Sequence, residues 1–291
     1  MKVQDQKIVD KIHDYEYEML CKLDDVCRKN NITYFMEAGT LIGAARHKDF
    51  IPWDDDIDIY FKRKDFEKLL AHKDELAPYR VHIPDGKDGY FWDYTTRMID
   101  ERVSIKKDDR EARFYDHNNC DHLFMDLFVM DNNPGGIRGK LHIFYLKLLY
   151  VFGTSRRYNL TYDVPANPFA RFAVYILCRI GIFIPLKRLF AWYEKVSQMY
   201  NKNKKCKYYV LSNVSATYIS DSVYKKEWYK KKVELPLRDR KFFAPAGYDA
   251  SLRSYYGDYT QFPPEREQFP DHIDYLDDIK FEGVPARSMD L

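Results

Sequence analysis

The residues best suited to chemistry sit in one short stretch. Asp54, Asp55, Asp56 and Asp58 place four carboxylates within five positions. Like charges this close repel and raise one another's pKa unless something neutralises them. A divalent cation that prefers hard oxygen ligands is the usual remedy. Ile57, Ile59 and Phe61 alternate with the acids. In a strand, alternate side chains share a face. A strand over 56–61 therefore turns the apolar residues into a core and sends Asp56 and Asp58 together to the other side. A solvated acidic turn is the competing reading. The alternation, and the Gly39-Thr40 pair upstream, weigh toward the metal site.

A further carboxylate lies inside an apolar run. Residues 122–129 read His-Leu-Phe-Met-Asp-Leu-Phe-Val, a strand with Asp126 at its centre. Burying an unpaired charge is costly. Either a core arginine or backbone N–H groups satisfy Asp126, or it shares a metal with Asp56 and Asp58. The second acidic strand favours the shared metal.

Other elements must hold these residues in place. Ile8, Ile12, Tyr15, Met19, Leu23 and Val26 recur at steps of three and four, which predicts an amphipathic helix ending near 29–31. A short strand is expected over 33–36, then a turn at Gly39-Thr40 and a short helix over 41–46. A turn feeding a helix N-terminus presents N–H groups to an anion, so this is a candidate phosphate cradle. A helix is expected over 64–76, stopped by Pro78, and strands over 80–83, 90–96 and 103–106. From 140 to 200 the pattern turns helical, with apolar segments over 141–149 and 169–190. Arg171, Arg179, Pro185, Lys187 and Arg188 interrupt the second, so no apolar run approaches the ~20 residues of a transmembrane helix. Two readings stand for this region: a helical hairpin packed on the main domain, or an interfacial pair on an anionic membrane surface. Basic runs at 202–207 and 225–232 are solvated faces or contacts for anionic lipid or a polyanionic acceptor. The closely spaced tyrosines at 255, 256 and 259 read first as core, and otherwise as a cation–π cage for a quaternary ammonium group.

Composition bounds the rest. The chain has 291 residues, 45% of them hydrophobic, enough for a substantial core. A net charge of only +2 argues against nucleic acid as the main partner. The five cysteines form no Cys-x-x-Cys pair, which speaks against a disulfide framework or zinc knuckle and for a reducing compartment. Residues 1–6 carry no apolar signal segment, so a cytoplasmic protein is expected.

The stretch Gly-Thr-Leu-Ile-Gly-Ala-Ala-Arg-His over 39–47, followed by Phe-Ile-Pro-Trp-Asp-Asp-Asp-Ile-Asp over 50–58, resembles the LicD family of phosphotransferases. That family includes bacterial phosphocholine transferases and is related to the fukutin group. Tyr-Tyr-Gly-Asp-Tyr at 255–259 with Pro263-Pro264-Glu265 resembles its C-terminal signature. Lys48-Asp49 departs from the pattern, standing where relatives usually have a glycine.

The resemblance implies an α/β (α+β) fold of nucleotidyltransferase type, a mixed sheet flanked by helices. It implies one catalytic domain over 1–291, with a core of about 31–135 plus 206–291 and a helical insertion of about 136–205. Asp56, Asp58 and Asp126 would hold one or two Mg²⁺ ions, with Mn²⁺ as an alternative. Gly39 and Thr40 would hold phosphate, and Arg46 and His47 would bind phosphate or orient the leaving group. Asp54 and Asp55 would support the metal ligands, and Trp53, Trp92, Tyr255 and Tyr256 would supply the choline cage. The donor would be CDP-choline or another CDP-alcohol, and CMP would be released. The acceptor would be a hydroxyl of a teichoic acid or lipopolysaccharide precursor, lipid-linked at the inner membrane face. Transfer of a nucleotide, or of ribitol, glycerol or ethanolamine phosphate, is the alternative. So is an inactive relative that only binds glycan or membrane, against which the complete carboxylate set argues.

Overall fold

The computed structural model describes residues 3–87, 91–105, 121–156, 167–216, 218–270 and 276–289. Helix α1 (Val3–Lys29) buries the predicted stripe from Ile8 to Val26. Full burial of such side chains contributes about 1.5–3 kcal/mol each. Arg28 and Lys29 in its last turn complement the helix dipole. The chain then runs through β1 (Tyr34–Met36), α2 (Ala38–Ile42), a wide helical turn over Gly43–His47, β2 (Asp58–Lys62) and α3 (Arg63–Ala71). Strands β3 (Arg80–His82), β4 (Thr96–Ser104) and β5 (His122–Asn133) follow, and then helices α4 (Gly136–Thr154), α5 (Pro168–Gly181) and α6 (Leu186–Ser197). The remainder comprises β6 (Tyr208–Leu211), β7 (Val223–Lys225), β8 (Lys232–Leu237), β9 (Arg240–Pro245), α7 (Tyr248–Tyr256), β10 (Lys280–Phe281) and β11 (Val284–Pro285).

Among the described residues, a mixed nine-stranded sheet flanked by seven helices makes an α/β fold. Its main path is β1-β2-β5-β4-β10-β11. The long β5 organises it. One edge of β5 takes β2 in parallel. The other takes β4 over residues 123–127 and then β6 over 130–133, both antiparallel. A separate hairpin pairs β8 with β9.

The period of two in β2 and β5 divides the interior. Ile59, Phe61, Met125, Leu127 and Val129 join α1 in the main core. Tyr60, Phe128 and Met130 face the opposite side with Phe35, Tyr224 and Tyr229. Asp58 and Asp126 share that second face by alternation. A third cluster joins α4, α6 and residues 91–94, where the Tyr94 and Tyr193 rings stack at 3.5 Å.

Several local expectations need correcting. Asp56 lies just ahead of the strand, which begins at Asp58. Helix α2 begins at Ala38, so Gly39 and Thr40 occupy its first turn rather than a turn before it. The reversal comes one residue earlier, at Ala38 with φ of +48°. Asp100 and Glu101 lie inside β4 as an irregularity rather than in a turn between two strands. The strand expected over 90–96 begins only at Thr96, its first residue lying outside the described region. The apolar segment over 169–190 is two helices, α5 and α6, bent by 118° around Pro185. Among the described residues no single helix is long and apolar enough to cross a membrane.

Candidate active site

The site is built on the second face of β2 and β5. Asp58 and Asp126 are register partners on the two parallel strands. They line a cavity of about 350 Å³ together with Asp56, Glu37, Tyr255 and Tyr256. Tyr60, Phe128, Tyr218 and Tyr224 complete much of its wall. Burial and aromatic walls lower the local dielectric, which magnifies charge effects inside. The Asp58 carboxyl is accordingly held well above the usual carboxylate range, first by loss of water and then by the charges of Asp56, Asp126, Asp54 and Glu37.

Glu37 gave no signal in the sequence beyond being an acid directly after a strand. It is buried, and burial pushes its carboxyl up to about 8. The Tyr229 hydroxyl donates to Glu37 Oε1 at 2.6 Å and pulls in the opposite direction. The Glu37 N–H donates to the Asp58 carbonyl at 3.1 Å, so the acid is tied to β2.

Arg97 was equally silent. It is the register partner of Asp126 on β4, and its Nε stands 3.0 Å from Asp126 Oδ1. Its other two nitrogens donate to Asp93 at 3.1 and 2.6 Å. The half-buried acid within the apolar strand thus does have a core arginine beside it. On α1, the buried carboxyl of Glu16 faces the acidic loop and is pushed well up by burial and by Asp56, Asp55 and Asp54.

The upstream motif supports the strand. Thr40 is buried, and its Oγ1 accepts the Asp58 N–H at 3.0 Å. Gly39 has Asp54 so close that a Cβ would fall 2.1 Å from a carboxylate oxygen. The loop is fixed from below by His13, whose Nε2 donates to the Asp54 carbonyl at 2.6 Å. Lys48, at the departure from the family pattern, takes φ of +60°, a conformation glycine adopts at little cost. Its carbonyl accepts from the Arg238 N–H at 2.8 Å.

Arg46, His47 and Trp53 lie in a different neighbourhood. Arg46 donates to the carbonyls of Tyr259 and Gln261 at 2.8 and 3.0 Å and stacks on Phe262. His47 and Trp53 pack on the same ring at 5.4 and 6.3 Å between centroids. These residues join the 39–58 motif to the C-terminal motif rather than line the carboxylate cavity. Trp92 does not line it either. Tyr255 and Tyr256 do, and at 41% and 44% exposure they are not the core residues that spacing alone favoured.

Residues 31–145 match the family model described as LicD/FKTN/FKRP, nucleotidyltransferase domain. Over that stretch the chain carries a LicD-family domain. It is 29% identical over 261 residues to the lipopolysaccharide cholinephosphotransferase LicD of Haemophilus influenzae, covering 85% of this chain and 89% of that protein. It is 57% identical over 97 residues to the ribitol 5-phosphate transferase FKRP of Mus musculus, covering 33% of this chain and 16% of that protein. An uncharacterized protein of Rickettsia typhi is 40% identical over 68 residues, 22% of each chain.

The donor chemistry of this site fits a hard divalent cation. Asp56, Asp58 and Asp126 offer oxygen ligands on one wall, and their mutual repulsion is what a cation relieves. Among the described residues no three acidic, His or Cys side chains already stand at ligating positions.

Proposed function

We propose that this chain transfers phosphocholine from CDP-choline to a hydroxyl of a cell-surface glycan precursor of teichoic acid or lipopolysaccharide type, releasing CMP. The observation that carries this reading is the meeting of Asp56, Asp58 and Asp126 in one cavity walled by Tyr255 and Tyr256. The similarity to a cholinephosphotransferase over 85% of the chain supports it.

Asp56, Asp58 and Asp126 would hold one or two Mg²⁺ or Mn²⁺ ions, whose charge neutralises the donor diphosphate. Phosphoryl transfer demands mainly positioning and charge neutralisation. The acceptor oxygen attacks the phosphorus bearing choline, and the bond from that phosphorus to the bridging oxygen breaks, so CMP leaves with the oxygen. Asp126 takes the hydroxyl proton, its orientation held by Arg97 at 3.0 Å. Tyr255 and Tyr256, with ring centroids 4.8 Å apart, offer π faces to the trimethylammonium group. Thr40 acts through the strand by fixing the backbone of Asp58.

Transfer of another phospho-alcohol is the second reading, favoured by the match to a ribitol 5-phosphate transferase. We place the protein on the cytoplasmic side, in peripheral contact with an anionic membrane where lipid-linked acceptors are assembled. The exposed apolar residues of α4 and α5 support that placement.

The test is incubation with Mg²⁺ and a panel of CDP-alcohols, following CMP. The expected result is CMP release fastest with CDP-choline. Pyrophosphate release from a nucleoside triphosphate, with no CMP from any CDP-alcohol, would overturn the reading.

A further inference from the structure

The basic runs at 202–207 and 225–232 meet in space through the β6–β7 pairing. β6 pairs with β7 so that Tyr208 lies opposite Lys225, and the Lys226 N–H donates to the Lys207 carbonyl at 2.9 Å. This joins Lys204, Lys205 and Lys207 to Lys225, Lys226 and Lys230 around one cavity of about 700 Å³. Lys62, at the far end of β2, adds a seventh ammonium group. Glu227 is the one carboxylate in the lining.

A solvated lysine face does not account for this arrangement. The chain as a whole has a net charge of only +2, so the excess here is local. Among the described residues none of the seven lysines is ion-paired. Lys62 and Lys226 are partly withdrawn from water, which holds both below the ordinary lysine range; at Lys62 the charge of Asp65 works against this and that of Lys226 with it. Lys62 Nζ donates to the Tyr229 carbonyl at 2.6 Å, and Lys226 Nζ lies 4.8 Å from the Tyr209 ring centroid. A concave surface lined by one sign of charge focuses its field and concentrates counter-ions. The volume falls in the range of about 300–1,000 Å³ typical of small-molecule sites.

The cavity is separate from the carboxylate site. Tyr229 stands between them, its hydroxyl on Glu37 and its carbonyl on Lys62. Along β2, Asp58 and Lys62 are four residues apart, about 13 Å at the rise of a strand.

We propose that this lysine cavity is a second binding site, taking a di- or oligophosphate group through several ammonium groups at once. Lysine binds phosphate as a point charge, without the planar fork of arginine, so it suits clustered phosphates in varied orientation. The group could arrive free in solution or as the headgroup of a phospholipid. The inference does not rest on phosphocholine transfer.

The test uses the full chain in EDTA at low salt, titrated with inorganic tripolyphosphate by calorimetry. The triple variant Lys204→Gln, Lys205→Gln, Lys207→Gln is the first comparison. All three side chains are exposed, so the fold should survive. The expected result is wild-type binding that weakens with added salt, and a loss of about tenfold or more in the variant. Lys225→Gln with Lys226→Gln should give a comparable loss from the other side of the cavity. Asp58→Asn should bind tripolyphosphate as the wild type does, which separates this site from the carboxylate cavity.

A second arm measures sedimentation with phosphatidylcholine vesicles with and without phosphatidic acid. Lysine-dependent binding to the phosphatidic acid vesicles identifies a lipid source, and lysine-dependent binding of tripolyphosphate alone identifies a soluble one. No lysine-dependent binding in either arm overturns the proposal, as does equal loss of tripolyphosphate binding in Asp58→Asn.

Discussion

Arg97 closes on Asp126 across the β4–β5 ladder, Nε to Oδ1 at 3.0 Å, while Asp58 flanks Asp126 from the parallel side. Three neighbouring strands thus carry acid, acid and base in one cross-strand row. Neighbours in such a row share a face and interact directly. The row explains how a carboxylate is kept within an apolar strand: it sets Arg97 beside Asp126, while Asp56 and Asp58 are left to repel one another.

That repulsion predicts opposite effects of one substitution. Asp58→Asn should reduce CMP release by at least about a hundredfold, comparable to removing a preorganised electrostatic contact in other sites. The same change removes like-charge repulsion with Asp56, Asp126, Asp54 and Glu37. The metal-free variant should therefore melt higher than the wild type in EDTA. Mg²⁺ should raise the wild-type midpoint and leave that of the variant nearly unmoved. Near-normal turnover in Asp58→Asn, or an equal Mg²⁺ shift in both proteins, would remove the metal-site assignment.

Arg97 should behave as the centre of a buried charge network. Its side chain is only 5% exposed and bridges Asp93 and Asp126. Arg97→Met strands both carboxylates, and breaking a buried pair by removing one partner costs about 3–5 kcal/mol. Urea unfolding in EDTA measures this. A loss below about 1 kcal/mol, the scale of an exposed pair, would show that the acids are neutralised in some other way.

Glu37 predicts a pH dependence of stability. Its carboxyl stands at about 8 in the folded protein against an ordinary 4.5. The folded state therefore holds this proton more tightly than the unfolded chain does. The stability that follows is fully present below about 4.5 and is lost as pH rises through about 8. Glu37→Gln mimics the protonated acid and should lack this slope. The expected readout is a wild-type melting temperature that falls relative to the variant across that window, in EDTA. Parallel curves would show that Glu37 is already ionised when buried.

The main features of the site were legible because they depend on local pattern. Alternation set Asp58 on the face opposite Ile59 and Phe61, and the lone acid in the apolar run over 122–129 singled out Asp126; the parallel β2–β5 register makes the two neighbours. Glu37 and Arg97 were not legible, because their meaning lies in partners supplied by Tyr229, 192 residues on, and by Asp126 on another strand. The Gly39-Thr40 pair was placed one element too early because nothing local reveals that Ala38 takes the positive φ. Tyr255 and Tyr256 were misjudged for a related reason. Close aromatic spacing suits core and cavity wall alike, and only the position of α7 at the cavity mouth decides between them.

The apolar surface of α5 makes the last prediction. Phe169 and Phe172 of α5 are 87% and 65% exposed, Phe183 just beyond it is 85% exposed, and Ile137, Leu141 and Phe144 of α4 are exposed too. Arg171, Arg179, Lys187 and Arg188 lie exposed among the α5–α6 residues. Exposed apolar surface rimmed by basic groups suits the boundary between headgroups and acyl chains. The wild type should co-sediment with vesicles containing phosphatidylglycerol at low salt. Replacing Phe169, Phe172 and Phe183 by Ser should weaken this by about tenfold or more, since each buried ring contributes about 1.5–3 kcal/mol. The same variant should retain CMP release from CDP-choline with a soluble acceptor, and tripolyphosphate binding, because neither cavity includes these rings. Wild-type protein that stays in the supernatant, or a triple variant that sediments as fully as the wild type, would mean that this face is covered by something other than a membrane.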